Sequence, residues 1–353
     1  MAGKPTLRQL AKTAGVSLAT VSRIINGSAR VGGELQERVR EAARELGIDL
    51  HQTNRSRTVA FVLSNREMLH SFHSRILVGA QSQCALRGWD MLFMSLQYPA
   101  DVAAKDLHLP AVLRRRDVAR AVILAGTNSQ NLITALQDRG SPFAVLGNNL
   151  LGEAPKAGGD IVYSDDVQGA HEMTRYLQGL RHRHIWYVGN RRLPWLERCF
   201  RGYSKAMEEA GLEPHQREID SASEQEIGYL GAKLILTRSD PVTAIFAGTD
   251  PIASGVYKAA ADCSFKIPDD LSVVGCNDTY GDLLHPRLTT IREFPEQLGK
   301  QLVELVLTRI EQPDLAPRRV TIPTELVKRE SCHRLFTSSD KIPVKVPEET
   351  TEA

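Results

Sequence analysis

Near the start of the chain, "GVSLATVSRIINGS" (residues 15–28) gathers side chains suited to reading a nucleic acid. Arg23 carries a planar fork of N–H donors that matches O6 and N7 of guanine in the major groove. Thr6, Ser17, Thr20, Ser22 and Asn26 are short hydrogen-bonders fitted to phosphate oxygens, helped by backbone N–H groups at a helix start. Leu18 and Ala19 have no hydrogen-bonding group, so they offer a base only apolar contact, for instance with a thymine methyl. Val21, Ile24 and Ile25 recur at helical spacing and form the buried side of the same short helix. The chemistry expected of these residues is recognition; the alternative is that they are solvent-facing residues of a structural helix pair.

Catalytic patterns do not compete with that reading. The sequence has no GxSxG elbow, no GxxxxGK[ST] phosphate loop, no GxGxxG and no HExxH. Ser, His and Asp occur, but nothing in the sequence places them together. "RHRHI" sets His182 and His184 two apart, which suggests a metal; without a third ligand nearby, a polar turn entering a strand is the better reading. No cofactor and no metal are expected. Five cysteines without CxxC spacing read as free thiols in a reducing cytoplasm.

The elements that must hold these residues begin with three helices. Leu7, Leu10, Ala11 and Ala14 make one stripe behind a capping Thr6. Gly15 breaks it, and Ser17 caps the second helix. Leu35, Val39, Ala42, Ala43 and Leu46 make a third stripe, ended by Gly47. Two short helices joined by a tight turn, with a third behind them, form a helix-turn-helix head over residues 1–50.

Charge agrees with that division. Residues 1–57 hold ten Lys/Arg against five acids, so this segment is +5 while the whole chain is only +2. A basic arm on a mildly acidic body suits a nucleic-acid-binding head.

From residue 58 the pattern changes to apolar runs of strand length: "TVAFVLSN", "WDMLFMSL", "RAVILAGT", "FAVLGNN", "DIVYSD", "HIWYVGN", "AIFAGTD" and "LSVVGCND". Helical stretches at 73–87, 129–140, 167–179, 198–211 and 251–262 separate most of them. Such alternation predicts parallel sheets covered on both faces. So many units exceed one ordinary doubly wound sheet, which predicts two lobes with ligands at the carboxyl ends of the strands, in a cleft. The polar tail "TSSDKIPVKVPEETTEA" has no periodicity and no leucine heptads, and disorder is expected over 334–353. No apolar leader and no long apolar run is present, so neither secretion nor a membrane span is expected.

With those residues in hand, the chain resembles the lactose-repressor (LacI/GalR) family of bacterial transcription regulators over roughly residues 5–333. "TLRQLAKTAGVSLATVSRIINGSARVGGELQERVREAARELGI" is similar to that family's head almost position for position. "AIFAGTDPIASGVYKAA", "LSVVGCNDTYGDLLHPRLTTIRE" and "LVKRESC" resemble three further family segments, in the right order. The resemblance implies an all-α head and an α/β core of two doubly wound parallel-sheet lobes like periplasmic sugar-binding proteins. The core would span residues 58–333, with one lobe at about 58–160 and 293–318 and the other at about 161–290 and 319–333. It also implies a homodimer on double-stranded DNA with a pseudo-palindromic operator, gated by a small molecule, in a bacterial cytoplasm at the nucleoid.

Family members place some twenty residues between the third helix and the first core strand, including a helix whose leucine wedges into the minor groove. Here only "GIDLHQTNRSR" separates Leu46 from Thr58, and that leucine helix is missing. The shortened hinge, residues 51–57, is expected not to wedge. Arg55 and Arg57 remain for phosphates or a narrow minor groove, and Leu7 and Thr6 join the head's DNA-facing set.

For the effector, the resemblance assigns Phe72, His73 and Asn148, with Asp165 or Asp166 near the start of the second lobe. Trp195, Arg198, Asp250 and Asn277 follow. Carboxylates that take hydroxyl protons, beside aromatic faces, suit a sugar, while a nucleoside or another small metabolite stays open. Two departures qualify this: Cys199 stands where the family has an arginine, and Thr249 where it has an asparagine. Phe72 and Trp195 also fit ordinary core aromatics, and Asn277 also fits a turn after its strand. The resulting expectation is an effector-modulated DNA-binding regulator, most often a repressor; the alternative is a small-molecule-binding protein without regulatory gating, which has no use for residues 1–50.

Overall fold

The computed structural model describes residues 6–26, 32–48, 50, 57–66, 70–152, 159–238 and 241–335. The chain divides into two compact units. One comprises residues 1–165, 193–195 and 293–324; the other comprises 166–192, 196–292 and 325–353.

The first unit opens with three helices, α1 (Leu7–Thr13), α2 (Leu18–Asn26) and α3 (Gly33–Glu45). Thr6 caps α1 reciprocally. The Gln9 N–H donates to Thr6 Oγ1 at 3.3 Å, and the Thr6 N–H donates to Gln9 Oε1 at 2.7 Å. Leu10, Val21 and Val39, one from each helix, are completely buried together with Ala11, Ala14, Ala42 and Ala43. Burying each of the three larger side chains contributes roughly 1.5–3 kcal/mol, enough to hold helices too short to persist alone.

A parallel sheet follows, built from β1 (Thr58–Ser64), α4 (Ser71–Leu86), β2 (Asp90–Leu96), α5 (Ala111–Arg114), β3 (Ala121–Leu124), α6 (Gln130–Asp138), β4 (Phe143–Leu146) and β5 (Asp160–Ser164). The chain then supplies the second unit: α7 (Asp166–Gly179), β6 (Ile185–Val188), α8 (Pro194–Glu209), β7 (His215–Arg217), α9 (Glu224–Leu236), β8 (Ala244–Ala247), α10 (Asp250–Asp262), β9 (Ser272–Cys276) and β10 (Thr289–Arg292). It returns to the first unit for α11 (Pro295–Glu311) and β11 (Arg319–Ile322), and ends its regular structure in the second with β12 (Glu325–Val327).

The strand orders are β11-β5-β4-β3-β1-β2 and β12-β10-β9-β8-β6-β7. All pairs are parallel except β10 with β12. Alternation along β1 shows why the first sheet needs helices on both faces. Val59 and Phe61 join one core with Ile76 of α4 and Leu298 and Leu302 of α11, while Ala60 and Val62 join another with Leu132 and Leu136 of α6.

Both units use the same close helix crossing. A Cβ on Gly79 of α4 would lie 2.1 Å from the Glu296 carbonyl oxygen of α11, and one on Gly228 of α9 would lie 1.9 Å from the Ile252 carbonyl oxygen of α10. Hydrogen fits at these positions and a methyl group does not.

Three expectations are corrected. The second lobe does not begin at 161 or take 319–333 whole. β5 pairs with β4, and β11 pairs with β5, so both strands belong to the first sheet and the divisions fall at 165/166 and 324/325. The physical reason is that an apolar strand is equally at home in either sheet, and only its hydrogen-bond partners decide. The tail is not free from residue 334, because the Leu335 N–H donates to the Leu180 carbonyl at 3.0 Å; residues 336–353 lie outside the described residues. Of the hinge expected at 51–57, residues 51–56 also lie outside them.

Candidate nucleic-acid interface and effector site

The turn between α1 and α2 sets the direction of the candidate reading helix. Gly15 has φ +60°, and a Cβ there would sit 2.6 Å from Arg38 Nη2. Arg38, on α3, donates from Nη2 to the Ala14 carbonyl at 2.8 Å and to the Gly15 carbonyl at 3.4 Å. A guanidinium thus takes up two carbonyls left open at the end of α1. Sequence reasoning missed Arg38, since it lies 23 residues from Gly15 and carries no local signal.

On α2, Ser17 acts as the cap: Thr20 N–H donates to Ser17 Oγ at 3.0 Å, and the two hydroxyls lie 2.8 Å apart. Leu18 is 44% exposed, and Ala19, Ser22 and Arg23 are exposed beside it, with Thr20 half-buried. Val21 is buried, while Ile24 and Ile25 pack against the head core. Leu7 packs on that core too, half-buried, so it presents little of itself to a partner. Asn26 closes α2, its side chain lying outside the described residues, as does Arg55. Arg57 is exposed immediately before β1, and its carbonyl accepts from the Asp90 N–H at 2.7 Å.

In the first core unit, the effector candidates lie at the carboxyl ends of strands. Phe72 and His73 occupy the first turn of α4, with ring centroids 5.6 Å apart in an edge-on arrangement. Phe72 packs against the core, the ordinary role open to it from sequence. His73 is buried, and its Nε2 lies 2.9 Å from Asn149 Nδ2. The imidazole also meets the Ala125 carbonyl, while its Nδ1 is buried and makes no hydrogen bond among the described residues. Burial holds the imidazole well below its usual pKa, aided by Arg66 and His70 nearby.

Asn148 ties two strands together. Its Nδ2 donates to the Ser164 carbonyl at 3.0 Å, and its Oδ1 accepts from the Ser164 N–H at 2.8 Å. It lies in the short turn after β4 beside β5, where an amide matches the backbone pair of the neighbouring strand. Asp165 is half-buried just after β5, and its carbonyl accepts from Thr324 Oγ1 at 3.3 Å. Trp195 lies under the Arg66 guanidinium, 4.2 Å from the ring centroid.

The second unit holds the remaining candidates. Arg198 Nε reaches both oxygens of Asp166 at 2.8 and 3.0 Å, and Nη2 reaches Oδ1 at 2.6 Å. Cys199, one position on, is buried in the core among Tyr187, Tyr203 and Phe246, which accounts for a small apolar thiol there.

Asp250 acts as a strut within its own unit. It is fully buried at the start of α10. Its Oδ1 is paired with Thr290 Oγ1 at 2.5 Å, and its Oδ2 accepts from the Tyr280 N–H at 3.0 Å. Burial pushes its pKa up to about 7 against the pull of those bonds. The hydroxyl it engages belongs to its own fold.

Asn277 has φ +88° and accepts from Thr279 Oγ1 at 2.7 Å, the turn role that its sequence position also allowed. The next residue, Asp278, is held by Arg292 at 2.7 Å and Arg329 at 2.8 Å. Thr249 caps α10 and donates to Glu224 Oε2 at 2.8 Å, so its departure from asparagine serves the helix start. His182 spans Thr243 Oγ1 at 3.0 Å and the His333 carbonyl at 3.1 Å, which occupies both ring nitrogens.

A head of three helices, with an exposed polar face on the second, is joined in sequence to a core of two α/β units. This defines a helix-turn-helix regulator with a periplasmic-binding-protein-like core. Residues 6–48 match the family described as bacterial regulatory proteins, lacI family, and residues 174–332 match a periplasmic binding protein-like domain. The chain belongs to the lacI family of bacterial regulatory proteins.

The HTH-type transcriptional regulator DegA of Bacillus subtilis (strain 168) is 28% identical, covering 95% of this chain and 100% of its own. The HTH-type transcriptional repressor PurR of Haemophilus influenzae (strain PittEE) is 25% identical, covering 92% of this chain and 98% of its own. Among solved structures, a complex of the transcriptional regulator CelR with cellobiose aligns with TM-score 0.67 at 26% identity, covering 93% of this chain and 99% of that one. No helix among the described residues is long and apolar enough to cross a membrane.

Proposed function

We propose that the chain acts as a homodimer on double-stranded DNA, binding a pseudo-palindromic operator and repressing transcription. A small molecule bound at the carboxyl ends of the core strands would modulate its operator affinity. The observation that carries this reading is the exposed face of α2, where Arg23, Ser22, Ala19 and Leu18 stand over a buried Val21. Such a helix offers its first residues to base edges while its apolar side is spent on the head. Two symmetric half-sites follow from two copies.

Arg23 is the residue proposed to read a guanine; Leu18 and Ala19 contribute apolar contact. Thr6, Ser17, Thr20, Ser22, Asn26, Arg55 and Arg57 are assigned to phosphates. Ligand and operator affinities would change reciprocally, because both bias the same equilibrium. The chain is proposed to work without catalysis, in the cytoplasm.

For the effector, the relative crystallised with cellobiose supports a sugar or related metabolite. His73 supports a ligand with a polar group, because its Nδ1 is buried without a partner among the described residues. Selection of duplexes from random sequence by the full chain, followed by thermal-shift screening of sugars and nucleosides, tests both halves. Enrichment of a two-fold related site is the expected result for the first, and a melting shift that also changes operator affinity for the second.

A further inference from the structure

Because β1, β2, β3, β4, β5 and β11 run parallel, their first residues (Thr58, Asp90, Ala121, Phe143, Asp160 and Arg319) share one edge of the first sheet. The residues leading into these strands are rich in arginine. "LRRRDVAR" (113–120) brings Arg114, Arg115, Arg116 and Arg120 to the start of β3. Arg57 precedes β1, and Arg139 precedes β4. The binding is mutual across the edge: the Arg120 N–H donates to the Thr58 carbonyl at 2.8 Å, and Arg116 Nη2 donates to the Arg139 carbonyl at 3.0 Å.

The acids at this edge do not balance these charges. Asp160 is buried and spent on Arg309 at 2.9 Å and Arg318 at 3.5 Å. Asp117 pairs with Arg115, and Asp90 and Asp138 are exposed. Among the described residues, no acid forms an ion pair with Arg57, Arg114 or Arg139, all of which are exposed. Burial, and after it the nearby Arg120, bring down the pKa of Arg116.

Covalent connection puts this edge near any DNA that the head holds. Leu50 and Arg57 are seven peptide steps apart, so the backbone between them spans at most about 25 Å. We propose that the strand-start edge of the first core unit is a second, sequence-independent DNA surface, on which Arg57, Arg114, Arg115, Arg116, Arg120 and Arg139 engage backbone phosphates beside the half-site read by the head. This rests on the operator-binding reading. Guanidinium groups match phosphate oxygens in pairs, and such contacts add affinity while leaving sequence preference alone.

The test uses the full chain and a duplex that it enriches from random sequence, in two lengths: trimmed to the half-sites, and extended by about one helical turn on each side. The triple variant Arg114→Ala/Arg115→Ala/Arg139→Ala changes exposed side chains only, and its melting temperature should match the parent's. Affinity of the variant for the extended duplex should fall about tenfold or more at low salt. The slope of log K against log salt should become shallower by about 2–3, near 0.9 for each lost phosphate contact. Sequence preference and affinity for the trimmed duplex should stay unchanged.

Arg23→Ala should do the reverse, altering preference while changing the slope by about 1 or less. Equal slopes for parent and triple variant overturn the proposal, including the case in which the edge serves an acidic protein. They leave the operator reading intact if the parent still selects a site. A parent that enriches no duplex overturns both.

Discussion

The guanidinium of Arg38 on α3 closes the end of α1 by donating to the Ala14 carbonyl at 2.8 Å, and the same nitrogen fills the space a Cβ on Gly15 would need. One side chain therefore fixes both the last carbonyls of the first helix and the sharpness of the turn that launches the second. Arg38→Ala should cost about 1.5–3 kcal/mol of head stability, the range for hydrogen bonds to charged groups. Gly15→Ala should cost about 1–2 kcal/mol from its left-handed backbone alone. Thermal melting of the full chain, followed by a probe in the head, measures both. Changes under a few tenths of a kcal/mol would show that the turn holds without them.

Arg23→Lys retains the charge and loses the fork. Its expected effect is a loss of about 1–3 kcal/mol in discrimination at one guanine per half-site, with little change in binding to random duplex. Competition between the selected site and single-base variants reads this directly. A site that has no guanine sensitive to position 23 overturns the assignment.

Between pH 4 and 7, Asp250 should make the second core unit less stable as pH rises. Its folded pKa is raised to about 7 from an ordinary 3.8, so the folded state holds a proton that the unfolded state has released. The contribution is complete below pH 3.8 and is lost as pH climbs to about 7. Asp250→Asn mimics the neutral acid, with an amide for Thr290 and a carbonyl for the Tyr280 N–H, and should remove this slope. His182, brought down to about 4 by burial, pulls the other way below pH 6.5 but does so in both proteins and cancels. Urea midpoints at several pH values decide it; parallel pH profiles for parent and variant contradict the buried-acid account.

The short linker gives a fourth expectation. With only eleven residues between Leu46 and Thr58, the operator should stay close to straight at its centre, with no kink between half-sites. Gel mobility of the complex with the site placed at different positions along a fragment reports the bend. A strong central kink rules this out.

Much of the core was legible because parallel strands buried on both faces are written as uninterrupted apolar runs. All eight apolar runs became strands, β1 to β6, β8 and β9, although β2 lies at the sheet edge and is mostly exposed. The unread strands lack that signature: β7 is His215-Gln216-Arg217 and half-buried, and β11 alternates exposed and half-buried residues. Membership in a sheet was harder still. Nothing in "DIVYS" or "RVTI" states a partner, and both joined the sheet opposite to the one expected. Among site residues, spacing along α2 revealed which side faces out. It could not show that Asn148 and Asp250 are committed to Ser164, Thr290 and Tyr280, because those partners are 16 to 40 residues away.

The first sheet is completed by α11 and β11, which lie some 230 to 265 residues after β1 in the chain. Followed in time along a ribosome, this sets an order of events. The head core lies within residues 7–50 and can fold early, while one face of the first sheet is covered by α4 alone until Leu298, Leu302, Val303 and Val306 are made. At roughly 5–20 residues per second, that interval lasts on the order of ten seconds or more, with the second unit's β6 to β10 emerging inside it. A nascent or truncated chain is thus a folded head attached to a sheet with one face only half covered, a species for chaperones to cover or proteases to remove.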